Sequence, residues 1–189
     1  MRVRTIRKLI AAAAAAPPWL RSRSATPAEA AAPAIKAVPV GQPVVAVSQV
    51  TGNYLLIDDT KGNAGTYLQV YPSDQPTWNN QWQFEVVAYS DNRPVYQLKS
   101  SPGGACATDE KGADSISYLR VCSRGNKSQW WLLKPFPGTD PENPDYGIVS
   151  YVHEDLALTA RSEGDNYVDL KKMWGGSPSA RQGWHFYPA

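Results

Sequence analysis

From Pro43 onward, apolar residues fall in short runs of strand length, divided by stretches rich in Gly, Pro, Asn and Asp. Val44 to Val50, Val95 to Lys99 and Gly147 to Val152 are β-branched or aromatic runs, each followed by a turn-like or polar stretch. Past residue 43 nothing keeps helical spacing for more than a turn or two, so the pattern predicts an all-β domain over 43–189. Residues 31–42 (AAPAIKAVPVGQ) have no apolar period and read as a Pro/Ala linker. Ahead of them, a basic start (Met1 to Lys8), a short apolar run (Leu9 to Ala16) and the small-residue site Ala28-Glu29-Ala30 predict an export signal over 1–30. The mature chain then begins near Ala31, and the expected destination is secreted, extracellular.

The domain repeats itself three times. Trp82, Trp130 and Trp184 stand in similar contexts, Asn80-Gln81-Trp82-Gln83-Phe84, Ser128-Gln129-Trp130-Trp131-Leu132 and Gln182-Gly183-Trp184-His185-Phe186. Each indole is followed two residues later by a large apolar side chain on the same side of a strand. By this alignment Trp131 points away from the face that Trp130 and Leu132 share. Upstream lie the strands Thr66 to Val70, Ser117 to Val121 and Tyr167 to Lys171, and upstream again the strand starts Leu55, Cys106 and Leu156. The alignment predicts three four-stranded units, about 43–91, 92–142 and 143–189. One unit alone leaves an apolar face and open sheet edges, which three can cover by closing a barrel around the three tryptophans.

Cys106 and Cys122 are the two cysteines. In an exported protein they can form a bridge over a short loop; in a cytosolic one they would be two buried thiols.

The triplicated Gln-x-Trp arrangement resembles the ricin-B type β-trefoil lectins over residues 43–189. Gln182-Gly183-Trp184 carries the full motif, with Asn80 and Ser128 in the glutamine place of the other two copies. The resemblance implies a β-trefoil, a disulfide between Cys106 and Cys122, and binding of glycans or glycoproteins without covalent chemistry. It also implies three sugar sites, each built from an Asp, a stacking aromatic and an Asn. On this alignment the Asp places hold Ile57, Thr108 and Leu158, the aromatic places Gln69, Arg120 and Lys171, and the Asn places Asn79, Lys127 and Arg181. Asn79 alone fits. Asp58 and Asp109 come one residue late, and one residue along a strand turns a side chain to the opposite face.

A different sugar platform is therefore expected in the first unit: Asn79 as the amide contact, Trp78 or Tyr71 as the stacking face, and Asp58 or Asp59 as the acceptor. Trp174, in the matching loop of the third unit, is a further exposed-aromatic candidate. The acidic turns at 58–63, 109–112 and 163–166 lack calcium-loop spacing and read as solvated β-turns, so no metal or other cofactor is expected.

Charge narrows the partners. The whole chain carries +2, but residues 31–189 hold 13 basic and 16 acidic residues with no basic run, which removes the electrostatic footprint of a nucleic-acid binder. No apolar stretch is long enough for a membrane span. His153 and His185 are the two histidines, and no nucleophile, zinc or phosphate-loop motif accompanies them, so the chain is not expected to be an enzyme. The expected state is a monomer. The rival reading is a trefoil whose loops, among them the Pro-rich stretch Pro135 to Pro144, bind an extracellular protein, as a protease inhibitor or a toxin or adhesin subunit would.

Overall fold

The computed structural model describes residues 38–58, 61–72, 80–161 and 166–189. The predicted leader and its cleavage site lie outside the described residues, as do Asp59, Trp78 and Asn79.

Among the described residues twelve strands run β1 (Pro43–Ser48), β2 (Tyr54–Ile57), β3 (Leu68–Tyr71), β4 (Gln81–Ser90), β5 (Arg93–Ser100), β6 (Cys106–Thr108), β7 (Tyr118–Arg120), β8 (Trp131–Pro135), β9 (Tyr146–Ser150), β10 (Leu156–Ala160), β11 (Val168–Lys172) and β12 (Gly183–Pro188). β1 pairs with β4, β4 with β5, β5 with β8, β8 with β9, β9 with β12, and β12 with β1, so six strands close on themselves. Closure removes the sheet edges that a lone unit would expose. The other six strands form three hairpins, β2–β3, β6–β7 and β10–β11, which bridge one another through Tyr67 with Tyr118, Ile116 with Asp169 and Gln69 with Tyr167. This is the β-trefoil. The last residue joins the first strand, since the Ala189 N–H donates to the Pro43 carbonyl at 3.1 Å.

Trp82, Trp131 and Trp184 are fully buried in one core, and each indole N–H donates to a carbonyl on the hairpin strand of its own unit: Leu55 (2.9 Å), Ala107 (3.1 Å) and Leu158 (3.1 Å). The second core tryptophan is thus Trp131, and the alignment on Trp130 is off by one. Trp130 is half-buried on the outer side, packed against Tyr151, with its indole N–H donating to the Arg124 carbonyl. The physical reason lies just upstream, where a 3-10 turn (Lys127–Gln129) delivers Gln129 to the interior and Trp131 two residues after it. The second unit therefore carries a full Gln129-Trp130-Trp131.

Those glutamines clip each hairpin to the strand that follows it. The Gln129 side-chain amide donates to the Val121 carbonyl (2.9 Å) and Thr108 Oγ1 (3.3 Å), while its oxygen accepts the Ser123 N–H (2.8 Å). Gln182 repeats the arrangement with the Lys171 carbonyl, Thr159 Oγ1 and the Ser179 N–H. A buried amide with all its groups paired stabilises the turn, whereas truncating it would strand several backbone partners.

Val38 also belongs to the core, although the sequence pattern assigns 31–42 to the linker. It packs at the barrel end remote from the hairpins, and the adjoining chain is fixed by a parallel bridge from Val40 to Phe84 and by the Gly41 N–H donating to the Phe84 carbonyl.

Candidate functional site

Hairpin register settles which residues are equivalent. Tyr54 faces Tyr71, Cys106 faces Arg120, and Ala157 faces Lys171. Leu55, Cys106 and Leu156 are therefore not matching positions, because the hairpin-strand carbonyls that receive the indoles define Leu55, Ala107 and Leu158 instead. On the corrected register the Asp places hold Leu56, Thr108 and Thr159, in place of Ile57, Thr108 and Leu158. The aromatic places hold Tyr71, Arg120 and Lys171, and Gln69 drops out. Tyr71 thus falls at the stacking place of the first unit. The position three residues after each indole-bonded carbonyl holds Asp58, Glu110 and Arg161, so Asp58 is equivalent to Glu110 and shares the outer face of the hairpin with Leu56 and Tyr71, at the turn rather than at Tyr71's end.

The second unit shows what this placement builds. Thr108 at the end of β6, Glu110 and Lys111 just beyond it, Arg120 at the end of β7, and Asn126 and Ser128 from the following turn line an open groove of about 700 Å³ with Gln129 at its base. Glu110 and Arg120 form a two-pronged ion pair across the groove, Nη2 to Oε2 at 2.8 Å and Nε to Oε1 alongside it. Such a fork holds both groups in one plane. The guanidinium also lies 4.9 Å from the centre of the Tyr118 ring. Cys106 and Cys122 are joined in a disulfide that ties β6 to the segment after β7. Closing a loop of this length contributes on the order of 3 kcal/mol.

In the first unit, Asp58 is exposed and accepts a hydrogen bond from Gln69 Nε2 at 2.7 Å, while Tyr71 is half in solvent. The structure does not bring Asp58 and Tyr71 together: Tyr71 faces Tyr54 at the start of β2, whereas the Asp58 N–H donates to the Tyr67 carbonyl at the turn, the opposite end of the hairpin. In the third unit the same places are cationic: Arg161 donates to Asp169 at 2.7 Å, and Lys171 reaches Asp114 at 2.6 Å. The Lys171 ammonium is held above its usual pKa, chiefly by the hydrogen bond it donates to Asp114. Trp174 stands 87% exposed at the tip of a turn completed by Gly175 and Gly176, both at positive φ. Buried Met173 and Pro178 anchor the two sides of that turn.

Asp109 corrects the reading of solvated acidic turns. It is buried and accepts from the Gly112 N–H (3.0 Å) and the Ser150 hydroxyl (2.6 Å), and His153 Nδ1 lies 2.7 Å away. It links the second unit to the third. The serine hydroxyl points at the carboxylate rather than at the imidazole, which is not the geometry of an activated nucleophile. Among the described residues no group of three His, Cys, Asp or Glu side chains is placed to hold a metal ion.

The groove residues Glu110, Lys111 and Asn126 were absent from the sequence-level candidates. The signal that could have found them was Gln129, two residues before Trp131, which fixes the register of the whole second unit.

No family model matches the chain, and no curated protein does. Solved structures match its fold. A designed threefold-symmetric protein, ThreeFoil, superposes with a TM-score of 0.63 at 20% identity, covering 78% of this chain and 99% of that one. The Polyporus squamosus lectin, solved with the epitope Neu5Acα2-6Galβ1-4GlcNAc, gives 0.62 at 15% identity over 80% of this chain and 50% of that one. The Macrolepiota procera ricin B-like lectin, solved with lactose, gives 0.60 at 18% identity over 82% of this chain and all of that one.

Proposed function

We propose that this protein is a secreted, monomeric carbohydrate-binding module that reads glycans or glycoproteins through shallow sites at the outer ends of its hairpins, without covalent chemistry. The observation that carries the reading is the 700 Å³ groove of the second unit, built at the hairpin position where the lectin resemblance places a sugar. Its chemistry suits a polyol. Glu110 accepts from vicinal hydroxyls, and Arg120, Lys111 and Ser128 donate to ring and hydroxyl oxygens. In the first unit the sequence-assigned set is Asn79 as the amide contact, Trp78 or Tyr71 as the stacking face and Asp58 or Asp59 as the acceptor; Tyr71 and Asp58 stand at the two ends of one hairpin face, so a glycan that used both would lie along it. Two lectins of this fold, solved with a sialylated trisaccharide and with lactose, support the class of ligand.

A glycan array tests this with the full chain, Arg120→Ala and Tyr71→Ala. Specific binding by the parent, lost by about tenfold in at least one variant while the fold is kept, is the expected result, as for removal of a charge-assisted contact or a stacking ring. An array with no specific signal overturns it. The rival reading, a protein-binding trefoil, draws on Trp174, since a rigidly presented indole is a common anchor of protein interfaces. Inhibition of an extracellular protease that Trp174→Ala abolishes would decide for that reading.

A further inference from the structure

The barrel end remote from the hairpins holds a cavity of different character. β5 and β8 are neighbours in the closed barrel but register at a single pair, Tyr96 with Trp131, whereas β4 follows β5 from Trp82 to Ser90. Beyond Tyr96 the two strands part. Pro94 on one and Pro135 on the other lack the N–H that would bridge the gap. Between them opens a cleft of about 310 Å³, walled by Tyr96, Leu133, Pro135 and Tyr146 and bounded on its inner side by Val38.

Beneath it lies an aromatic floor: Phe84 meets Tyr96 and Phe186 edge-on at 5.7 and 5.0 Å, and Phe186 stacks on Tyr146 at 5.8 Å. A second cleft of about 260 Å³ shares Val38 and Tyr146 with the first and is lined also by Phe186. The charged residues lining the larger cleft are Arg93 and Lys134, both cationic. Arg93 is loosely paired, its guanidinium 3.7 Å from an exposed Asp91, and the Lys134 ammonium gives one of its three donors to the Glu154 carbonyl at 3.3 Å. Burial raises the pKa of both phenols, that of Tyr146 to about 12, so both remain neutral donors at physiological pH.

We propose that this cleft is a binding site for a small amphipathic anion, an aryl or medium-chain acyl body seated against Tyr96, Leu133 and Tyr146 with a carboxylate or sulfate beside Arg93 and Lys134. Its volume is at the lower end of ligand cavities, which sets the size of the body. Its walls offer few partners for a ring of hydroxyls, and burying those unpaired is costly, so the occupant differs in class from the glycan of the hairpin sites. The two cations at its mouth, with no carboxylate among the lining residues, select the sign of the head group.

The test titrates octanoate and, separately, octanol into the full chain, following the Leu133 methyl and the Tyr96 and Tyr146 ring resonances. Saturable shifts at all three are expected, with octanoate about tenfold tighter than octanol and that preference lost in Arg93→Ala, as for one charge-assisted contact. Pro135→Trp, at the exposed rim, should block both probes and leave the core resonances in place. Equal affinity for the two probes, or no saturable shift at Tyr96 and Tyr146, overturns the proposal. So does a nuclear Overhauser contact between Ile35 and Tyr146, which would put the chain's own upstream segment in the cleft.

Discussion

Trp130 and Trp131 are neighbours of the same chemistry, and one peptide step separates a core anchor from a surface brace. Trp131 is fully buried, with its indole N–H paired to the Ala107 carbonyl, so truncation leaves both a cavity and an unpaired carbonyl. Trp131→Ala is expected to cost about 3–5 kcal/mol, and Trp130→Ala less than half of that, measured by urea unfolding. Tyr146 makes a prediction of its own. Desolvation lifts its phenol from 10.0 to about 12, so between those values the unfolded chain has lost a proton that the folded chain keeps. Stability should therefore fall as pH rises from 10 to 12, and Tyr146→Phe should flatten that slope in pH-dependent thermal melts.

Among the elements, the β6–β7 hairpin depends most on a covalent tie. It has three residues per strand, and the disulfide spans its open end. Reduction under native conditions is expected to cost about 3 kcal/mol and to speed amide exchange in β6 and β7 well before the barrel strands respond. Strand positions and the threefold repeat were legible in the sequence because alternating burial leaves a period of two and because the repeat places a tryptophan in each unit of the domain. The site was less legible, for a local reason. Adjacent tryptophans in the second unit gave two alignments of equal apolar pattern, and only the glutamine hydrogen-bond roles distinguish them. Tyr71 and Arg120 were named, but their equivalence rests on cross-strand pairing that no run of apolar residues reveals. Val38 was hidden by its Pro/Ala surroundings, since a single buried side chain produces no period.

Across the whole molecule, stability rests on the seams between units. At one seam a Cβ on Gly103 would lie 2.0 Å from the Gly62 carbonyl oxygen, a contact of backbone with backbone that no side-chain motion relieves. Gly103→Ala is expected to destabilise the protein by more than about 2 kcal/mol through forced separation of the first and second units, seen as a lowered thermal midpoint. At the next seam Asp109 does the joining through Ser150 and His153. Conserving the threefold scaffold while varying these joints leaves the hairpin ends free to differ: acid and phenol in one unit, acid and guanidinium in the next, two cations in the third.

The bond from Ala189 to Pro43 places the end of the last strand beside the beginning of the first. A short peptide spliced from Ala189 to Val38, which lines one cleft with Pro188, would turn the trefoil into a ring, and the ring could be reopened at exposed Gly138, between β8 and β9, to make a circularly permuted protein with the same barrel and each hairpin undisturbed.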